Sequence, residues 1–531
     1  MKPEHTPLVL ALMAGLLWGV FLTWIGIHTT ADSVAYIHSA LSVAESGALS
    51  ANPIWPPLYP ALLGLLTLVT GLPTVAAAVL SAITMTVLLA AVGRIVQWAT
   101  GSTVISAVSM LFLCGWWEVL FIFRVAWSEQ LFAALVALHL LMIIRHLESD
   151  RLSDLGLAAL SVSLVALSRY IGYAMVGIFL LYAAAWVVRR REWRGIGVVG
   201  LGLSPVAGWL VRNLALSGTL HGNRSPTERT VLDNLSLLIE VLSGQLWQAP
   251  VLTALIVASV VAGGAVLWRG SGEVRRMLLY TGAWLVAYLL MLIYATSTVK
   301  MDHINPRFLS PILPTVLALC ALAFGGLAAL RPSSRSLLNG VFGAALLVGT
   351  ISGGSVWVAG MSGLVSDVNT RSFHEQAGFS ASQTAADLNV IIADRLRDRK
   401  RLDILLLTSE SSGHKARLLL MRRGLLSGSG LSGATVQTTG KRTMTIGVQL
   451  DGEARELVAT SPLNFRKRTG IRRAFRAARE DSVGELMVLA RRKALLSAGV
   501  EDLTDVEPGC RLDVKVDPYL VYRCQSASVR R

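Results

Sequence analysis

Apolar runs of about 18 residues or more, enough to cross a bilayer as a helix, recur along the first two thirds of this chain. Charged residues fall almost only between them. Such a chain has few folds open to it, because a segment in lipid must satisfy its own backbone hydrogen bonds. Composition agrees: 53% of residues are hydrophobic, 15% are charged, and mean hydropathy is +0.58. The pattern predicts a polytopic α-helical membrane protein with about eleven spans, near residues 8–27, 75–98, 104–121, 128–144, 155–167, 171–188, 196–216, 251–268, 277–296, 308–330 and 337–361. The stretch 58–69 is too short to cross alone and reads as a re-entrant or juxtamembrane helix. Residues 231–247 read as an interfacial helix. The first run carries Trp18 and Trp24 with no small-x-small site after it, so it is expected to stay in the membrane and not be cleaved as a leader.

Short-loop charges predict the orientation. One set of loops, with Lys2, holds 13 basic residues, among them Arg189, Arg190, Arg191 and Arg194; the opposite set holds seven. The richer set is expected in the cytoplasm. The loop 28–73 and everything after 361 are then extracytoplasmic, in a plasma or inner membrane. Two domains follow: 1–361 in the membrane, and 362–531 as a soluble α/β module.

In that module the expected strands are 402–408, 444–450, 457–460 and a hairpin over 512–524. The expected helices are 381–399 and 415–423, with basic helical patterns at 466–479 and 483–496. No phosphate-loop pattern occurs in its Gly/Ser-rich stretch. Cys510 and Cys524 flank the hairpin and could pair if the module meets an oxidising compartment, whereas Cys114 and Cys320 fall in apolar runs as core residues. The formal charge of +15 has no aromatic-interleaved basic run, which argues for anionic membrane lipid over nucleic acid as its partner.

Asp32 stands where the first span ends. A carboxylate at a membrane interface is costly unless it faces water or a partner. Two roles fit it: a general base that takes a proton from a hydroxyl, or a helix cap with Thr29. The helix after it sets Val34, Ile37, Leu41 and Ala44 on one face, with Tyr36 and Ser39 off that stripe, and suits the membrane plane. Pro53, Pro56, Pro57 and Pro60 then stiffen the turn back.

Glu129 opens the fourth span, as a dipole-favoured carboxylate or as a second acidic group facing Asp32. Arg169, Arg212, Lys300 and Arg307 lie on the side where the positive-inside rule disfavours them. An anionic ligand such as a lipid-linked phosphate would account for them as a set, since guanidinium matches phosphate oxygens in a fork. His28, His38, His221, His303 and His374 lack ligand spacing, and no Cys/His cluster or Ser/His/Asp order occurs, so no metal residues are assigned.

Over residues 8–360 the chain resembles the GT-C superfamily of polyprenyl-phosphate-sugar glycosyltransferases, and within it the family 39, PMT-like branch. The likeness rests on Asp32-Ser33 with Tyr36, Pro56-Pro57-Leu58-Tyr59, Ser128-Glu129 through Phe132, and Arg307-Phe308-Leu309 with Pro311, in that order. Arg212-Asn213 through Gly218 is a softer match. The resemblance implies an inverting transferase with Asp32 as base and a donor sugar on a polyprenyl phosphate held by Arg307, Arg212 and Lys300. The acceptor would be an envelope glycan, lipid or protein. Asp32 is followed by Ser33 and not by a second acid, so a divalent-cation cofactor is left open without a paired acidic motif to support it. Two other functions remain: a transporter or flippase of a lipid-linked or anionic solute, which would place charges near mid-bilayer, and a scaffold that binds through its tail.

Overall fold

The computed structural model describes residues 5–351 apart from 29, 48, 50–53, 223–224, 249, 271 and 300. Beyond them it describes seven strands with a few neighbouring residues. Two compact units are present. One holds Met1–Ile27, Val43–Val69 and Val75–Ser366; the other holds His28–Ser42, Thr70–Thr74 and Asp367–Arg531.

The helices run in the order α1 (Thr6–Ile25), α2 (Ala31–Ser46), α3 (Leu58–Thr70), α4 (Pro73–Thr100), α5 (Thr103–Gly115), α6 (Trp117–Arg124), α7 (Ser128–Ser149) and α8 (Leu152–Ser168). They continue with α9 (Tyr173–Arg190), α10 (Arg194–Ser217), α11 (Val231–Gln248), α12 (Pro250–Arg269), α13 (Gly272–Thr298), α14 (Pro306–Leu309) and α15 (Leu313–Leu330). A last helical segment, α16, is Pro332–Ile351.

Among the described residues, seven helical segments are long and apolar enough to cross a membrane, and an eighth if α5 and α6 count together. That pair bends by 64°, so the continuous span expected over 104–121 is broken. The break follows Gly115, at the extended backbone of Trp116. Four further apolar helices are only 10–17 residues long as described, which is why length and composition alone give fewer crossings than eleven.

The membrane unit is built on aliphatic seams. Leu88, Leu89, Val92 and Val96 of α4 pack with Phe112 and Leu113 of α5, Phe123 of α6, Ala133 and Ala137 of α7, and Phe324 and Phe342. On α10 the buried positions Gly195, Val199, Gly202, Val206, Trp209 and Asn213 recur at three- and four-residue steps, one face of a helix. This face lies on α8 so closely that a Cβ on Gly202 would meet the Ala159 Cβ at 2.5 Å. Small residues at such seams let backbones approach in membranes.

Pro205 interrupts α10 and has no N–H for the carbonyl of Leu201. The hydroxyl of Ser204 donates to that carbonyl at 2.8 Å, and the Val206 N–H donates across to Ser163 Oγ of α8 at 3.2 Å. The proline is thus repaired from both helices.

His139 ties α7 to two neighbours in mid-bundle. Its Nδ1 faces the carbonyl of Ala158 at 3.1 Å and Ser161 Oγ at 2.9 Å, and its Nε2 meets the Tyr280 hydroxyl at 2.6 Å. The proton therefore belongs on Nδ1, and Nε2 accepts from Tyr280.

Beyond residue 400 lie β1 (Arg401–Leu407), β2 (Leu431–Thr438), β3 (Thr443–Leu450), β4 (Glu453–Thr460), β5 (Glu485–Arg491), β6 (Cys510–Val516) and β7 (Tyr519–Gln525). They form one sheet in the order β2-β3-β4-β1-β5-β7-β6. β1 pairs in parallel with β4 and β5; the outer pairs are antiparallel. Leu402, Ile404, Leu486, Val488 and Ala490 are buried in its centre.

One expectation is corrected here. The stretch 483–496 contains a strand, β5, where a basic helix was expected. A strand covered on both faces reads as an unbroken apolar run, and Leu486 to Ala490 is such a run. The helical patterns at 381–399, 415–423 and 466–479 lie, apart from single positions, outside the described residues. Cys510 and Cys524 are directly opposed on β6 and β7 and joined in a disulfide.

Candidate active site

At one end of the membrane unit a buried carboxylate gathers two guanidinium groups. Glu129, in the first turn of α7, is fully buried. One of its carboxylate oxygens lies 2.8 Å from Arg169 Nη1, and the other accepts from Arg307 Nε at 2.5 Å.

Each arginine is placed by a local break in the backbone. Arg169 caps α8 in an extended conformation, before a 3-10 turn at Tyr170–Gly172. Arg307 sits in the single turn α14, whose start is capped by Asn305: its side chain accepts from the Arg307 N–H, and Pro306 takes the first helical position. Both are preferred residues for those places.

Further contacts surround the triad. Arg307 stacks on Trp127, its guanidinium carbon 3.8 Å from the ring centroid, a cation–π geometry. Arg169 also donates to Ser128 Oγ at 3.2 Å. The next residue, Gln130, is buried and donates to the Tyr59 hydroxyl at 3.3 Å, which ties the Pro-Pro-Leu-Tyr turn to the start of α7. Tyr288 of α13 donates to the Phe308 carbonyl at 2.6 Å. Asp302 stands 3.7 Å from Arg307 Nη1 and is largely exposed. Glu129, Arg169 and Arg307 together carry one net positive charge.

A second cluster begins one residue on. The Tyr170 hydroxyl accepts from Trp209 Nε1 and from Asn213 Nδ2, each at 3.2 Å, and Tyr170 stacks with Tyr173. Arg212 lies over Trp209, 4.5 Å from its ring centroid. Asn213, fully buried, also donates to the Leu220 carbonyl at 2.9 Å. Arg169 and Arg212 thus belong to two adjoining clusters joined through the 169–170 backbone.

Asp32 occupies the second position of α2 and is half-buried. In the turn before α2 the Thr30 N–H donates to Ser33 Oγ at 3.0 Å; Thr29, the expected capping partner of Asp32, lies outside the described residues. Tyr36 departs from expectation. It is 2% exposed, on a face with Ser33, Ile37 and Ala40, and Ser39 is buried as well. The apolar stripe underestimated how much of α2 is covered. Lys300 lies outside the described residues. Among the described residues no group of three or more His, Cys, Asp or Glu is placed to hold a metal ion.

Trp127, Ser128, Gln130 and Tyr59 were not singled out for roles of their own. A signal existed in Trp127-Ser128-Glu129-Gln130, a polar group opening an otherwise apolar span.

No protein-family model and no curated protein matches the sequence. Solved structures do match. ArnT from Cupriavidus metallidurans bound to undecaprenyl phosphate shares 12% identity, with 97% of each chain covered and a TM-score of 0.56. The apo state of the same protein gives 13% identity, the same coverage and 0.56. At these identities the likeness is one of fold: the chain shares the overall fold of ArnT.

Proposed function

We propose that this protein is a membrane glycosyltransferase of the family 39, PMT-like kind, moving a sugar from a polyprenyl-phosphate donor to an extracytoplasmic hydroxyl. The observation that carries the reading is the gathering of Arg169 and Arg307 on the buried Glu129. Two cations held by one anion keep a positive charge in place for a phosphate and need no reorganisation when it binds. ArnT, which shares the fold, binds a polyprenyl phosphate, and a donor of that class suits such a site.

In this mechanism Asp32 takes the proton of the acceptor hydroxyl. The oxygen attacks the anomeric carbon while the bond from that carbon to the phosphate oxygen breaks. One displacement inverts the centre, and the polyprenyl phosphate leaves with both electrons of the broken bond. Arg307, with Arg169, Arg212 and Lys300, stabilises the charge that grows on the leaving phosphate. Glu129 orients guanidiniums and does not react. Tyr36, one turn after Asp32 on α2, binds substrate beside it.

The bent pair and three of the shorter apolar helices, added to the seven long ones, make up eleven crossings, with α3 re-entrant. An odd number sets residues 362–531 on the same side as Asp32, outside the plasma or inner membrane. The disulfide supports that side, since such bonds persist in oxidising compartments.

The test compares lipid extracts by mass spectrometry from cells with the wild type, a deletion and Asp32→Asn. A polyprenyl-phosphate sugar that accumulates in both mutants, with one glycosylated product lost, is the expected result. A deletion that changes lipids where Asp32→Asn does not would move transport ahead. No change in either would favour a scaffold.

A further inference from the structure

The two described non-glycine residues with left-handed backbone are Asp150 (φ 55°) and Arg191 (φ 53°), and both cap helices at the same end of the bundle. They close the α7–α8 and α9–α10 corners. The corners are tied: Asp150 accepts from Trp186 Nε1 at 2.6 Å and pairs with Arg190. Two further acids at this end are also engaged. Glu148 accepts from Trp98 Nε1, and Asp154 pairs with Arg145.

Three arginines of the α9–α10 corner are left over. Arg189, Arg191 and Arg194 are exposed, and among the described residues the ion pair of this corner is made by Arg190 with Asp150. Glu192 is the one acid within the turn. Arg189 favours the negative end of α9. Arg194 has the opposite setting, as the first residue of α10, where the helix dipole repels a cation. Arg191 holds a conformation in which glycine is preferred. Two cations are therefore placed at local cost, and an anion would offset it.

A second, independent feature descends from the same corner. Arg194, Gly197, Leu201 and Gly208 follow one another on one exposed face of α10. A Cβ on Gly197, Gly200 or Gly208 would meet nothing within 4 Å. Leu181 and Val188 line the exposed face of α9 toward the same corner. Trp193, 63% exposed, stands in the turn between the arginines, the place of an interfacial anchor. This exposed apolar face begins at the arginines and offers an acyl chain a surface to lie against.

We infer that the α9–α10 corner binds an anionic phospholipid of the leaflet at this end, its phosphodiester on Arg189, Arg191 and Arg194 and a chain along the α10 glycine face. Clusters of basic side chains beside membrane helices attract such headgroups.

The test uses the full chain in neutral detergent, with phosphatidylglycerol, phosphatidylcholine or inorganic phosphate added. Bound lipid is counted by native mass spectrometry, and the melting temperature is read in parallel. Phosphatidylglycerol should bind and raise the melting temperature; the other two should not. The variant R189Q/R191Q/R194Q should bind it about a hundredfold more weakly. R269Q/R275Q/R331Q removes equal charge elsewhere and should bind as the wild type does. Arg191→Gly guards against misfolding: without lipid it should melt no lower than the wild type, yet still bind more weakly. Equal loss in both triple variants, equal protection by inorganic phosphate, or unchanged binding in R189Q/R191Q/R194Q would each overturn the assignment.

Discussion

Glu129 and Arg307, 178 positions apart, meet in a short ion pair that Arg169 completes from the other side. Removing one member of a buried pair leaves charge without compensation and costs about 3–5 kcal/mol. Glu129→Leu should therefore lower the melting temperature sharply, by detergent-phase fluorescence, and abolish transfer. E129L/R169L/R307L removes all three charges and should melt closer to the wild type while remaining inactive. If the single and triple variants melt alike, the triad is not what holds these three segments together.

Trp127 gives Arg307 its plane. A cation–π contact of this kind is worth about 1–2 kcal/mol when desolvated. Trp127→Ala should therefore raise the donor KM roughly tenfold with a smaller change in kcat, if Arg307 grips the donor phosphate. Trp127→Phe keeps a ring face and should recover most of the loss. A fall in kcat at unchanged KM would instead place Arg307 in the chemical step alone.

Glu129, Arg169 and Arg307 could each be found in the sequence, because a charge at the end of an apolar span has few bland explanations. Their meeting could not: no helical or strand period links positions 129, 169 and 307, and only the packing of α7, α8 and α14 brings them together. Seven of the expected spans are matched by long apolar helices, and an eighth is broken by a bend. Gly115-Trp116 carries no proline, and the bend there was missed. Strand β5 was missed because a strand buried on both faces has no alternation to betray it. Tyr36 was misplaced for a related reason: a stripe of aliphatic residues marks one buried face, and a wider one includes Tyr and Ser.

The proline in α10 yields a cleaner test of packing than most core positions. Ser163→Ala takes away the acceptor of the Val206 N–H, and a buried donor left unpaired costs about 1–3 kcal/mol. Pro205→Ala restores a regular helix, in which that N–H can bond to Gly202. The loss from Ser163→Ala should therefore shrink in a Pro205→Ala background, seen as a coupling energy in a double-mutant cycle of melting measurements. Strict additivity would show that Ser163 does not compensate for the proline.

Cys510 and Cys524 close a loop with a sequence separation of 14 at the edge of the sheet. A loop of that length is stabilised by about 3 kcal/mol through the unfolded chain it constrains. Denatured protein should take up a thiol-reactive polyethylene glycol at two cysteines, Cys114 and Cys320, and at four after reduction. The double variant C510S/C524S should give two adducts under both conditions, and proteases should cut its tail faster than the wild type's. Four adducts without reduction would mean that the pair meets a reducing compartment. The tail and, by the odd number of crossings, Asp32 would then face the cytoplasm, and the proposed donor would have to be presented from that side.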